Sequence, residues 1–193
     1  MATQDAQTFE NITLTDVQLA SAYYPILVEL ARQKSLLTYG ELVARAKEKF
    51  PENAVVKNAI PVSAGRRLFI VRIFTEKHGY PDLTSLIVNK RDHECGDGYT
   101  EYYDPIAERR QVLEFNWDNV TMDFDGFIKL STVAVTPRKK VKVEDAPQMM
   151  SDYFYANKEA LPPEAKQWRE IVIELITEGF SPAEAFAQAA LHQ

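Results

Sequence analysis

An α+β fold follows from three features of this 193-residue chain. A capped helix begins at Thr38; a basic amphipathic helix starts near Val62 or Ser63; and an apolar, β-branched stretch, Leu83 to Asn89, leads into a polar glycine-containing loop. Helix, turn, helix, then a strand with a loop at its end is the order of a winged helix-turn-helix with a small β-sheet. A helical C-terminal segment completes the expected architecture. The expected division is a flexible lead over residues 1–13, a winged-helix-like domain over 14–130, a linker over 131–148 and the helical segment over 149–193.

The elements follow in order. Thr15 or Asp16 can cap a first helix with Val17, Leu19, Ala20, Tyr23, Ile26, Leu27 and Leu30 at helical spacing. Because proline is costly inside a helix and tolerated in its first turn, Pro25 favours a helix starting near Tyr24 and running to Gln33. Ser35 to Leu37 form a turn or short strand. Thr38 with Glu41 makes a capping box, Leu42, Val43 and Ala46 face inward, and Phe50-Pro51-Glu52-Asn53 ends the helix. The next helix turns Leu68, Phe69, Val71, Ile73 and Phe74 inward and leaves Arg66, Arg67, Arg72 and Lys77 outside, until Gly79 and Pro81 stop it.

Past the strand, Lys90 to Gly98 reads as the wing loop. Ile106 to Leu113 is helical, whereas weak alternation over Phe115 to Leu130 suggests one short strand and Ser131 to Val135 another. Arg138 to Lys142, followed by Glu144-Asp145-Ala146-Pro147, has the composition of a linker. Glu164 to Glu178 is an amphipathic helix with Trp168, Ile171, Val172, Leu175 and Ile176 on one side, and Ser181-Pro182 caps a last one.

Hydrophobic content of 46% and charged content of 26% belong to a globular protein, and no apolar run approaches the roughly 18 residues of a bilayer span. The N-terminus has no secretory pattern, so a cytoplasmic location is expected. One cysteine, Cys95, excludes an internal disulfide and a cysteine-based zinc cluster. No phosphate-binding loop, nucleophile elbow or zinc-protease motif is present, and no cofactor or metal site is expected.

Charge is unevenly spread. The net charge is −6, yet residues 41–90 hold nine Lys and Arg against five Asp and Glu, while 91–126 hold three against ten. Positive potential gathered on the expected helix-turn-helix makes Thr38, Tyr39, Arg66, Arg67, Arg72, Lys77, Lys90 and Arg91 the candidate contacts to duplex DNA. The acidic stretch, led by Asp92, Glu94, Asp97, Glu101 and Asp104, offers a different surface. Its carboxylates present negative charge where a DNA-binding partner expects phosphate, and they would also suit a metal-dependent nuclease.

Leu37-Thr38-Tyr39-Gly40-Glu41-Leu42, the helix carrying Arg66 and Arg67, and Tyr80-Pro81-Asp82-Leu83-Thr84-Ser85-Leu86-Ile87-Val88 resemble the winged-helix DNA-binding domain of the O6-alkylguanine DNA alkyltransferases and alkyltransferase-like proteins. The resemblance covers under half of the chain. In that family the strand leads into Pro-Cys-His-Arg, which holds the nucleophile; here Asn89-Lys90-Arg91 stands in its place. The resemblance therefore implies the scaffold and minor-groove docking, with Arg66 or Arg67 in the role of the family's base-displacing arginine, and no alkyl transfer. Cys95 lies beyond the matching position, among acidic neighbours that weaken a thiolate.

These features together lead one to expect a non-enzymatic DNA-binding protein in a regulatory or DNA-transaction role. The alternatives are an acidic interaction or inhibitor protein that mimics nucleic acid, and a metal-dependent nuclease. Self-association through the C-terminal helices is a further expected contact.

Overall fold

Thr13 opens the first helix. Its hydroxyl accepts the Asp16 amide while the Asp16 carboxylate accepts the Thr13 amide, so a capping box starts α1, Leu14–Gln33. Pro25 does not divide this helix. It shares the outward line of α1 with exposed Ser21, so the carbonyl it deprives of a partner faces water, and the buried stripe on the other side holds all twenty residues in one piece.

The computed structural model describes residues 11–118, 120–135 and 137–191. Most of the lead expected over residues 1–13 lies outside the described residues; Ile12 and Thr13, which are described, are buried. By compactness the chain divides into two units, 1–136 and 137–193.

In the first unit α1 is the central element. Around it are β1 (Leu37–Thr38), α2 (Tyr39–Lys49), the short α3 (Ala54–Lys57), α4 (Ala64–His78), a 3₁₀ turn over Leu83–Leu86, β2 (Ile87–Val88), α5 (Asp97–Thr100), α6 (Pro105–Glu114) and α7 (Thr121–Ala134). The Thr38–Glu41 capping box is formed, and Leu42, Val43 and Ala46 are buried as the spacing requires. Gly79 ends α4 in the left-handed conformation at φ 66°, where a side chain would be strained.

The winged helix is not there. Among the described residues the fold is helical, with one two-stranded sheet in which Leu37 pairs with Ile87 and Thr38 with Val88 in parallel. A wing needs an antiparallel hairpin. Most of the expected Leu83–Asn89 strand is the 3₁₀ turn, initiated by the Asp82 side chain accepting the Thr84 amide. The expected strands between Phe115 and Val135 are instead α7, whose buried Phe124, Phe127 and Ser131 recur at helical spacing. Tyr24 stacks on Phe124 at 3.7 Å between ring centroids, and Phe74 meets both edge-on, which seats α7 against α1 and α4.

The second unit has its own core. α8 (Ala146–Ala156), a 3₁₀ turn over Pro163–Trp168, α9 (Arg169–Thr177) and α10 (Pro182–Ala190) enclose Trp168, Ile171, Val172, Leu175, Ile176, Phe180 and Phe186. The basic run expected to be a loose linker belongs to this unit. The Val141 amide donates to the Thr177 carbonyl, Arg138 lies 3.9 Å over the Phe180 ring, and the Lys139 carbonyl oxygen would be only 2.6 Å from a Cβ at Gly179. Only glycine permits that approach.

Candidate functional site

Asp16 is the hub of a buried ion cluster. Arg66 Nε donates to both of its carboxylate oxygens at 3.2 and 3.1 Å, and Arg67 Nη1 lies 3.0 Å from Oδ1. The Arg66 and Asp16 side chains are 4% and 1% exposed, and that of Arg67 is fully enclosed. Arg66 also donates to the Asn11 carbonyl. Guanidinium groups so enclosed do not reach a phosphate backbone, so the expected DNA contacts at Arg66 and Arg67 are corrected: both arginines join α4 to the start of α1.

The reason is helical phase. The buried positions of α4 are Ala64, Arg66, Arg67, Leu68, Ile70, Val71, Phe74 and Thr75, whereas Phe69 is exposed. Arg67 therefore sits in the stripe that the period marks as internal. The spacing carries this signal, and the charge of residue 67 masks it.

Arg72 is held on another side of the helix. Nε donates to Asp82 Oδ2 at 3.1 Å and Nη2 to Thr84 Oγ1 at 3.3 Å, and the guanidinium lies over the neighbouring rings of Tyr99 and Tyr103, 4.6 and 4.9 Å from their centroids. Asp82, Tyr99 and Tyr103 went unrecognised as partners, since nothing local to residue 72 points to a segment nearly thirty positions on.

Beside this cage lies Cys95. Its thiol donates to the Ser85 carbonyl and receives a hydrogen bond from Arg109 Nη2 at 3.2 Å, while Arg109 also donates to Ser85 O and Glu94. Burial raises the thiol pKa, and this outweighs the opposing pull of Arg109. The Arg109 hydrogen bond holds the Glu94 carboxyl below the usual carboxylate range, which makes Glu94 a poorer base. A protonated thiol beside a weakened base is a structural group rather than a nucleophile. Tyr39, an expected DNA contact, is partly buried; burial raises its hydroxyl pKa, and the Gly96 backbone hydrogen-bonds it.

Thr38 is occupied in capping α2, Lys77 and Lys90 are exposed at different turns, and exposed Arg91 pairs with neighbouring Asp92 at 2.9 Å. Of the acidic residues, Glu101 and Asp104 are exposed, Glu94 is bound to Arg109, and the side chain of Asp97 lies outside the described ones. Glu114, Asp118, Asp123 and Asp125 are exposed as well.

Two tyrosines gather this stretch at one end of α4. The Tyr103 hydroxyl donates to Glu76 at 2.8 Å, and that of Tyr80 donates to Asp123 at 3.1 Å. Tyr103 and Asp123 are thus both tied to the last turn of the helix and the residues just after it. Among the described residues, no three His, Cys, Asp or Glu side chains are grouped so as to hold a metal ion, and no helix is long and apolar enough to cross a membrane. No protein-family model, curated protein or solved structure matches this chain.

Proposed function

We propose that this chain is a non-enzymatic interaction protein whose acidic stretch, residues 91–126, engages the cationic surface of a DNA-binding partner. Support comes chiefly from one contrast: the arginines that would have met DNA are spent on internal carboxylates, while Glu101, Glu114 and Asp125 stand exposed. Exposed carboxylates repel nucleic acid and attract surfaces built to hold phosphate. Reversing these three charges together (Glu101→Lys, Glu114→Lys, Asp125→Lys) tests the reading against a control reversal of exposed Glu48, Glu144 and Glu159.

The probe is a fluorescent oligolysine peptide, titrated at two salt concentrations. The acidic stretch is expected to bind it with affinity that falls as salt rises, and the first triple variant to lose binding while the control retains it. Equal loss in both variants would assign the attraction to net charge alone. In an electrophoretic titration, duplex DNA is expected to form no complex even at low ionic strength.

A further inference from the structure

We infer that Tyr102 and Ile106 are the anchors of this interaction, and that the partner presents an apolar pocket bordered by lysine or arginine. The inference rests on the acidic reading above and adds to it the contact that makes binding selective.

Tyr102 is 73% exposed and Ile106 is 64% exposed, at positions whose neighbours are firmly held. On one side, the Tyr102 and Tyr103 amides both donate to the Tyr99 carbonyl, and the Tyr99 and Tyr103 rings grip Arg72. On the other, the Asp104 carboxylate accepts the amides of Ile106 and Ala107 and so fixes the start of α6. The chain thus buries Tyr99, half-buries Tyr103 and leaves Tyr102 outside. A large aromatic side chain on a backbone already ordered loses little entropy on docking, which is the condition for a dominant contact in an interface.

The surrounding charge selects the partner. Glu101 and Asp104 are exposed beside Tyr102, and Glu76 is exposed where Tyr103 meets it; Arg110 and Arg91 are the exposed cations nearest to Tyr102 in sequence, and Arg91 pairs with Asp92. Carboxylates directly beside the anchor disfavour an anionic membrane surface as strongly as a nucleic acid, because both carry the same sign. A protein pocket with a cationic rim satisfies the apolar and the acidic groups together.

Two peptides of equal net charge separate the contributions: an oligolysine, and an amphipathic helix with leucines on one face and lysines on the other. Against the full-length protein, the amphipathic peptide is expected to bind at least about ten-fold more tightly, the equivalent of one good anchor. Tyr102→Ala with Ile106→Ala should abolish that ratio and leave oligolysine affinity unchanged. Both residues are exposed, so the fold should survive, and a circular dichroism melt checks it. Equal affinity for the two peptides, or a ratio that persists in the double variant, overturns the anchor while leaving the acidic reading in place. Failure of both peptides to bind overturns both.

Discussion

Asp16 and Arg67 lie 3.0 Å apart with 1% and 0% of their side chains exposed, and Arg66 reaches the same carboxylate from the adjacent position of α4. One carboxylate thus pairs with two buried guanidinium groups. Removing one partner of such a cluster costs more than the cluster contributes, because the remaining charge stays out of water. Asp16→Asn should therefore destabilise the first unit by about 3 kcal/mol or more. Urea unfolding followed by the fluorescence of Trp117 in a Trp168→Phe background measures it, and a loss below about 1 kcal/mol would show that water enters the site.

This cluster also shows what could and could not be read from the chain. The capping box at Thr38–Glu41 and the cap at Ser181 were legible because the partners lie within one turn; the structure forms both, and Glu184 completes a second capping box at Ser181. Arg67 needed the phase of α4 to be trusted over its charge. Arg72 could not be placed, since its ring partners belong to a different helix and a later turn. The α7 helix was misread because its short apolar spacing fits a strand as well as a helix until Phe124 and Phe127 are seen packing on the same core.

Gly179 and Gly79 both adopt positive φ, at 100° and 66°, but their surroundings differ. No atom lies within 4 Å of the Cβ position at Gly79, so Gly79→Ala should cost only the left-handed strain, about 1 to 2 kcal/mol. At Gly179 the same substitution also strikes the Lys139 carbonyl at 2.6 Å and the Arg138 Cβ at 2.8 Å. Gly179→Ala should therefore lower stability clearly more than Gly79→Ala does. Thermal melts of the two variants check the order, and in Gly179→Ala the Val141 amide should exchange faster with deuterium.

Glu94 gives a prediction for acid. Its pKa is depressed in the folded protein by Arg109, so this contribution to stability is fully present above the ordinary carboxylate range and is lost as pH falls through the lower folded value. Glu94→Gln should flatten the acid side of the stability curve while changing it little in shape above neutrality. The effect is modest because the side chain is 42% exposed and shares its partner with water. Urea midpoints at neutral and strongly acidic pH measure the difference.

Cys95 is buried with a raised pKa, so an alkylating reagent should modify it slowly at neutral pH and rapidly only in denaturant. Arg109→Ala removes the hydrogen bond to sulfur and loosens the loop, and is expected to speed labelling of the native state. Labelling of the unaltered protein as fast as in denaturant would contradict the placement of the thiol.

The paired strands carry a consequence for assembly of the fold. Leu37 meets Ile87 through a parallel ladder only two residues long, and α2, α3 and α4 all intervene in the chain between them. So short a ladder returns too little to offset closing a loop of that size by itself. The helices must already have packed before the two segments can find each other, and this small sheet should be the last feature to form and the first to open. Deuterium uptake at Ile87 and Val88 should then run ahead of uptake in the middle of the central helix, while the surrounding helices are still packed.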